Sequence, residues 1–215
     1  MFSILIPLYN GVEYLTESVK SVKEQTYEGW EIIIGVNGHP EDSDVMKHAY
    51  TFQNDKIQVK HYITKGKPNT LNEMVKDTKY DTICVLDVDD RWLPNKLKVQ
   101  KDYIDRYDVI GTHCQYFGDS DIIPPLKSGE IYRSDFLKVN NIVNSSVAIK
   151  KKDAHWNNEV LDDYELWLRL VHNNRKFYNI PEIHVLHRIH KESAFNNSND
   201  QYVKGLQAYW KRKSM

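Results

Sequence analysis

Short apolar runs alternate with stripes of apolar residues at helical spacing along the first half of this chain. Residues 3–8, Ser3-Ile4-Leu5-Ile6-Pro7-Leu8, predict a buried strand that ends where proline withholds a ladder donor. Asn10-Gly11 breaks the pattern. Leu15, Val19 and Val22 then share one helical face, with Lys20, Ser21 and Lys23 outside it. Residues 31–36 predict a second strand, stopping at Asn37-Gly38. Strand, helix, strand without strict in-out alternation implies parallel strands covered by helices on both faces. Residues 56–62 predict another strand, 69–76 a helix bearing Leu71 and Val75, and 82–86 a strongly buried strand. Pro94 is placed to start a helix carrying Leu97 and Ile104, and 109–114 return to strand.

The second half is less regular. Gly118, Pro124, Pro125 and Gly129 make residues 117–134 mostly loop. A short strand is expected at 147–149, and Asp162 or Asp163 can cap a helix whose buried face holds Tyr164, Trp167, Leu168 and Val171. Residues 177–180 and 183–186 are two further short strands. With no internal repeat, the pattern describes one α/β domain over 1–215 with a mixed second half.

The 215 residues are enough for one substantial core. The balance of 29 basic against 30 acidic side chains argues against a nucleic-acid partner, which normally requires a concentrated basic field. It leaves room for a local basic pocket. Cys84 and Cys114 fall inside predicted strands and are expected to be reduced core residues. The apolar run at 2–8 is far shorter than the roughly 20 residues of a spanning helix and lacks a basic leader, so a cytosolic protein is expected. Residues 204–215 mix Leu206, Tyr209 and Trp210 with Lys211, Arg212 and Lys213. A solvated terminal helix is expected there; a peripheral anionic membrane or a further domain are the other partners such a pattern suits.

The chemistry gathers at the end of strand 82–86, where Asp87-Val88-Asp89-Asp90 follows. Carboxyl ends of strands in such sheets collect ligands. Two carboxylates about 4 Å apart repel by roughly 4 kcal/mol at an effective dielectric near 20, so the cluster calls for a compensating cation. A divalent ion bridging to a diphosphate, Mg²⁺ or Mn²⁺, supplies it.

Four ordered segments resemble glycosyltransferase family 2, nucleotide-diphospho-sugar transferases with the GT-A fold. They are Phe2 through Asn10 with Glu13-Tyr14-Leu15, Ser18 through Val22 and Gln25-Thr26; Leu86-Asp87-Val88-Asp89-Asp90-Arg91-Trp92-Leu93-Pro94-Asn95-Lys96-Leu97; Asp162-Asp163-Tyr164-Glu165-Leu166-Trp167-Leu168-Arg169-Leu170; and His187-Arg188-Ile189-His190-Lys191-Glu192-Ser193. The resemblance implies a Rossmann-like, mostly parallel sheet with a small mixed acceptor-side region. It assigns 1–115 to the nucleotide sugar and 116–215 to the acceptor and catalysis. Pro7 and Tyr9 would line the nucleoside pocket, with Asn37 in the place where the family usually carries an aspartate that meets uracil. Lys65-Gly66-Lys67 and Asn72 resemble the approach to the donor, Gly66 by close backbone and Lys67 by phosphate contact. Asp87 would reach the ribose or the metal, Asp89 would bind the metal directly, and His190 would complete its shell or touch the diphosphate. Asp90 would support the loop, Trp92 would pack, Arg188 would offset charge and His187 would pack.

By the same resemblance Asp163 is the general base that takes the acceptor hydroxyl proton, with Asp162 orienting the loop. Asn144-Ser145-Ser146 would lie beneath the acceptor or satisfy strand-end amides; Trp156-Asn157-Asn158 replaces the family's paired glycines. The implied activity is a metal-dependent, inverting transfer from a nucleoside-diphosphate sugar, UDP in the usual case, to a hydroxyl of a glycan or other acceptor. A catalytically weak carbohydrate- or nucleotide-sugar-binding module and a sugar-phosphate nucleotidyltransferase are the alternatives. The second suffers from the lack of an early glycine-rich basic loop.

Overall fold

A computed structural model of the chain describes residues 1–64, 66–157, 162–191 and 200–213; Lys65, Asn158, Glu192 and Ser193 of the expected motifs lie outside them. Strands β1 (Phe2–Leu8) and β2 (Trp30–Asn37) run parallel, from Phe2 opposite Trp30 to Leu8 opposite Val36. Between them lies helix α1 (Leu15–Lys23), and after β2 come helix α2 (Asp44–Tyr50) and the parallel strand β3 (Ile57–Tyr62). Helix α3 (Lys67–Lys76) then returns the chain to β4 (Thr82–Val85), which pairs parallel to the other side of β1.

Every residue of β2 is buried, as a strand sandwiched between helices requires. Ile4, Ile6 and Leu8 of β1 share a cluster with Leu15, Val19 and Val22 of α1 and Met46 and Ala49 of α2. Leu5, Ile33 and Val85 face the opposite cluster with Leu71 and Met74 of α3. Gly35 permits this second contact, because an added Cβ would come within 2.5 Å of Met74 Sδ. Helix α2 was not expected from the pattern. Its fully buried residues are only Met46 and Ala49, with Val45 packed beside them, and its clearest signal is Ser43, whose Oγ accepts from Met46 N at 3.3 Å.

The remaining elements are the two-residue β5 (Arg91–Trp92), α4 (Lys96–Lys101), β6 (Val109–Gly118), β7 (Gly129–Ile131), α5 (Arg133–Phe136), β8 (Ala148–Lys150), α6 (Asp162–His172), β9 (Phe177–Ile189) and α7 (Asp200–Arg212). The sheet order is β3-β2-β1-β4-β8-β6-β9-β5, with β7 also on β9. Strand β8 is antiparallel to both β4 and β6, while β6 and β9 are parallel. The first half is thus the expected Rossmann-like parallel sheet and the second half is mixed.

Three expectations change. The two short strands flanking Pro181 are one strand of 13 residues. Register shifts on either side of His113 accommodate the proline, which lies exposed. The loop expected over 117–134 contains the end of β6, all of β7 and the start of α5. The terminal helix is not solvated along its whole length: Trp210 is buried against the α6 side of the core, Val203 and Leu206 pack beside it, and Arg133 donates to the Trp210 carbonyl. Cys84 and Cys114 are free and buried, and burial pushes their thiols up to about 11 and about 12. Among the described residues, no helix is long and apolar enough to cross a membrane.

Candidate functional site

The strand order reverses between β1 and β4, and the crevice at such a reversal is where open α/β sheets hold ligands. A cavity of about 990 Å³ opens there. Its walls include Pro7, Tyr9, Asn37, Gly66, Lys67, Asp87, Asp89 and His190, so eight residues drawn from five separate stretches of sequence meet in one place.

One wall of the cavity, the one expected to meet a nucleoside, is made by the ends of β1 and β2. Asn37 is buried as the last residue of β2. Gly38 follows at φ +75°, and a Cβ there would come within 2.4 Å of the Tyr9 ring. Glycine is therefore required for both backbone and space, and it leaves the Tyr9 ring 57% exposed at the cavity mouth. Gly66, at φ +88°, starts α3. Its neighbour Lys67 is the first residue of that helix.

Lys67 Nζ lies 2.6 Å from Asp87 Oδ1. Asn144 Nδ2 donates to both Asp87 oxygens at 3.2 and 3.1 Å, and the Asp87 amide donates to Ser145 Oγ at 3.0 Å. Burial opposes the charge of Asp87, but Lys67 and Asn144 hold its carboxyl below the usual carboxylate range. Ser145 and Ser146 serve the backbone: Ser145 O also accepts from Trp92 Nε1 at 2.7 Å, and Ser146 Oγ donates to Val143 O at 2.7 Å. Trp92 is 3% exposed beneath the site, with Lys96 Nζ 3.8 Å from its ring centre, so it packs and offers no face to a sugar. Asn72 is drawn away from the cavity. Its side chain donates to Trp156 O at 2.7 Å and accepts from Trp156 N at 2.9 Å, pinning the segment before α6.

Asp89 is different from Asp87. Burial, then repulsion from Asp90 and Asp87, push its carboxyl up, and His190 Nε2 lies 3.1 Å from its Oδ2. An imidazole nitrogen and a carboxylate oxygen converging beside two further carboxylates suit Mn²⁺ or Mg²⁺. Among the described residues no cluster of three metal-ligating side chains forms, so substrate oxygens would have to complete the shell.

The loop itself is fastened from below. Asp90 is fully buried, accepting from Arg188 N at 2.8 Å through Oδ1 and meeting His187 Nδ1 at 3.0 Å through Oδ2. Burial alone would lower His187, but Asp90 raises it to about 9. Arg188 Nε donates to Asp89 O at 2.9 Å and its Nη2 to Glu17 at 2.7 Å, while Tyr14 and Phe117 hold the guanidinium between rings at 4.4 and 4.3 Å. Arg188 thereby ties the end of β9 to the acidic loop and to α1.

Asp163 stands at the first turn of α6, outside the cavity lining. Its Oδ1 accepts from Tyr164 N at 2.7 Å and its Oδ2 from Asn140 Nδ2 at 3.2 Å. Burial and the neighbouring Asp162 raise its carboxyl to about 6, Lys67 pulls the other way, and Asp87 is close enough to add to the rise. The two acidic regions therefore sense each other through Lys67. Asp162 and Asp163 are the first two residues of α6 and each accepts from the next amide, a local bond and not the expected helix cap. Asn140, the grip of Asn144 on Asp87, and Asp119 on the cavity wall were not anticipated as functional. Asn140 and Asp119 sit in irregular segments with no periodic or motif signal, whereas Asn144, expected beneath the acceptor or at strand-end amides, grips a carboxylate 57 residues away.

A family model described as glycosyl transferase family 2 matches residues 3–164. A curated relative from Escherichia coli, UDP-Glc:alpha-D-GlcNAc-diphosphoundecaprenol beta-1,3-glucosyltransferase WfaP, is 26% identical over 215 aligned positions, covering 95% of this chain and 83% of that protein. Uncharacterized glycosyltransferases from Rickettsia bellii and Rickettsia felis are 31% and 32% identical over 53% and 50% of this chain. Those matches span only 16% and 18% of the Rickettsia proteins. Among solved structures, Staphylococcus aureus TarS 1–349 in complex with UDP-GlcNAc superposes with a TM-score of 0.78 at 15% identity, covering 97% of this chain and 66% of that one. The mannosyltransferase PcManGT from Pyrobaculum calidifontis, in complex with GDP-Man and Mn²⁺, gives 0.68 at 13% identity, covering 96% and 68%. The shared architecture is the GT-A fold.

Proposed function

The chain belongs to glycosyl transferase family 2, and from that premise we propose that it is an inverting, metal-dependent transferase that moves a sugar from a UDP-sugar to a hydroxyl of a glycan. The observation that carries this reading is the convergence of Tyr9, Asn37, Lys67, Asp87, Asp89 and His190 on one cavity, with Asp163 beside it.

Asn37 can accept from a ring N–H and donate to a ring carbonyl, which suits the uracil edge. The UDP-linked substrates in the names of the E. coli relative and of the TarS complex favour the same base, and the GDP-Man of the archaeal enzyme is the competing choice. Asp87, held by Lys67 and Asn144, would accept from ribose hydroxyls. Lys67 offers its ammonium to the diphosphate. Asp89 and His190 would hold Mn²⁺ or Mg²⁺, which when bound neutralises the charge of the departing diphosphate.

Asp163 takes the proton of the acceptor hydroxyl as that oxygen forms its bond to the anomeric carbon; the bond from that carbon to the diphosphate breaks, and UDP leaves. One displacement inverts the anomeric centre. A carboxyl near 6 is a stronger base than an ordinary aspartate and is still largely ionised at neutral pH. Incubation with UDP-sugars, acceptor glycans and Mn²⁺, followed by NMR of the product, tests the reading. UDP release with an inverted linkage is expected. Release of pyrophosphate, or retained configuration, would overturn it.

A further inference from the structure

A second cavity, of about 740 Å³, lies at the other end of β6 and β9. The donor-side cavity takes Asp119, His187, Arg188, His190 and Lys191 from at or just past the carboxyl ends of these strands, whereas this one takes Arg106, Tyr107 and Phe177 from their amino ends. It is a separate concavity, and no residue lines both.

Its charge is one-sided. Arg106, Arg133, Arg175 and Lys176 line it against the single carboxylate of Glu130, in a chain whose net formal charge is −1. Cations near the end of α6 would offset that helix's partial negative charge. Arg106 and Arg133 come from other elements, so the helix end does not account for them.

The three arginines are held in place. The turn after α6 passes through Asn174 at φ 59°, a left-handed residue, and closes with Arg175 N donating to Leu170 O at 3.0 Å. Arg175 Nε is held by Asp153 at 2.7 Å, Arg133 donates to Trp210 O, and Arg106 lies 4.8 Å from the Tyr103 ring centre. Lys176 is exposed and makes no salt bridge with a described carboxylate. Glu130 is engaged by the hydroxyls of Tyr107 at 3.2 Å and Tyr132 at 2.5 Å, which fixes two aromatic rings on the rim. Arg175 and Arg133 are already engaged, which leaves the Arg106 guanidinium and the Lys176 ammonium beside the two tyrosine rings, a set that matches a phosphate attached to a sugar: the two cations take the anion and the rings take the apolar face of the pyranose.

We propose that this cavity is a binding site for a phosphate-bearing carbohydrate, with Arg106 and Lys176 contributing to the phosphate contact and Tyr107 and Tyr132 to the sugar contact. The site operates without turnover, so its test is independent of the transfer reaction. Glucose 6-phosphate, inorganic phosphate and glucose are titrated into ¹⁵N-labelled protein, with the amides of 130–134 and 174–177 as reporters. Glucose 6-phosphate should saturate in the millimolar range or tighter, inorganic phosphate should move the same amides more weakly, and glucose should bind weakest.

Arg106→Gln with Lys176→Gln, both exposed positions, should weaken glucose 6-phosphate at least tenfold without lowering the melting temperature. Lys20→Gln with Lys23→Gln on α1, which removes the same charge elsewhere, should leave binding unchanged. Responses scattered over the surface, equal losses in the two double variants, or no saturation by glucose 6-phosphate would overturn the proposal. So would co-flotation with phosphatidylglycerol vesicles in the absence of sugar-phosphate binding, which would make the face a membrane contact.

Discussion

Asp163 concentrates the chemical claim on one atom group. With its carboxyl at about 6 against an ordinary 3.8, the kcat/KM of the wild-type protein, which follows the groups of the free enzyme, is expected to rise with pH through about 6, as the base loses its proton. Asp163→Asn is expected to lower kcat by roughly 10²- to 10⁴-fold while UDP affinity, read by calorimetry, stays within a few-fold. Stability moves the other way. The folded carboxyl is raised, so the unfolded chain releases this proton first. The stability associated with Asp163 is fullest below about 4 and declines as pH rises through about 6. Above that window Asp163→Asn is expected to be the more stable protein by about 1–3 kcal/mol, a gap that closes at low pH in denaturation curves. Full turnover by the variant would remove Asp163 from the mechanism. The acidic pairs were legible as residues because strand-end aspartates carry a chemical signature. Asn140 was not, and Asn144 was read as part of an acceptor segment and not as the partner of Asp87, since an asparagine in a loop looks alike whether it caps a turn or grips a carboxylate.

At the scale of elements, α4 carries an unusual cost. Lys96 is fully buried with its ammonium on Gln100 Oε1 at 2.8 Å, and burial pulls it down to about 8 from 10.5. The unfolded chain holds the extra proton between about 8 and 10.5, so folding stability gains with pH across that window. Lys96→Met should lack that rise, and urea denaturation of both proteins at pH 7 and pH 10 measures it. An identical pH dependence would mean that the ammonium reaches solvent. Helix α7 makes a second element-scale test: Trp210→Ala is expected to cost about 3–5 kcal/mol and to expose the α6 face, read by denaturation and by proteolysis near residue 200. A loss below about 1 kcal/mol would show that α7 is held only loosely. The long parallel-sheet strands were legible because both of their faces are apolar. Short α2 and the bulged β9 were not. Two buried side chains make no readable period, and Pro181 reads as a stop unless the partner strand's shift is known.

Over the whole molecule, the division into a regular first half and a mixed second half follows from where helices can cover both sheet faces. Antiparallel β8 joins the halves and brings Asn144 and Ser145 under Asp87. The alternating pattern carried the fold, and the ordered motifs carried residues that meet in one cavity. The acceptor side remained unread, because its identity depends on loop geometry that no spacing encodes. The central claim is a nucleotide diphosphate held with a divalent ion between Tyr9 and Asp89. Calorimetric titration of UDP, with and without Mn²⁺, into wild type and Asp89→Ala is its most direct test. Binding that strengthens at least tenfold with Mn²⁺ in the wild type, and loses that dependence in Asp89→Ala, is the expected result. No binding of UDP by the wild type, or the same Mn²⁺ response in both proteins, would contradict the account.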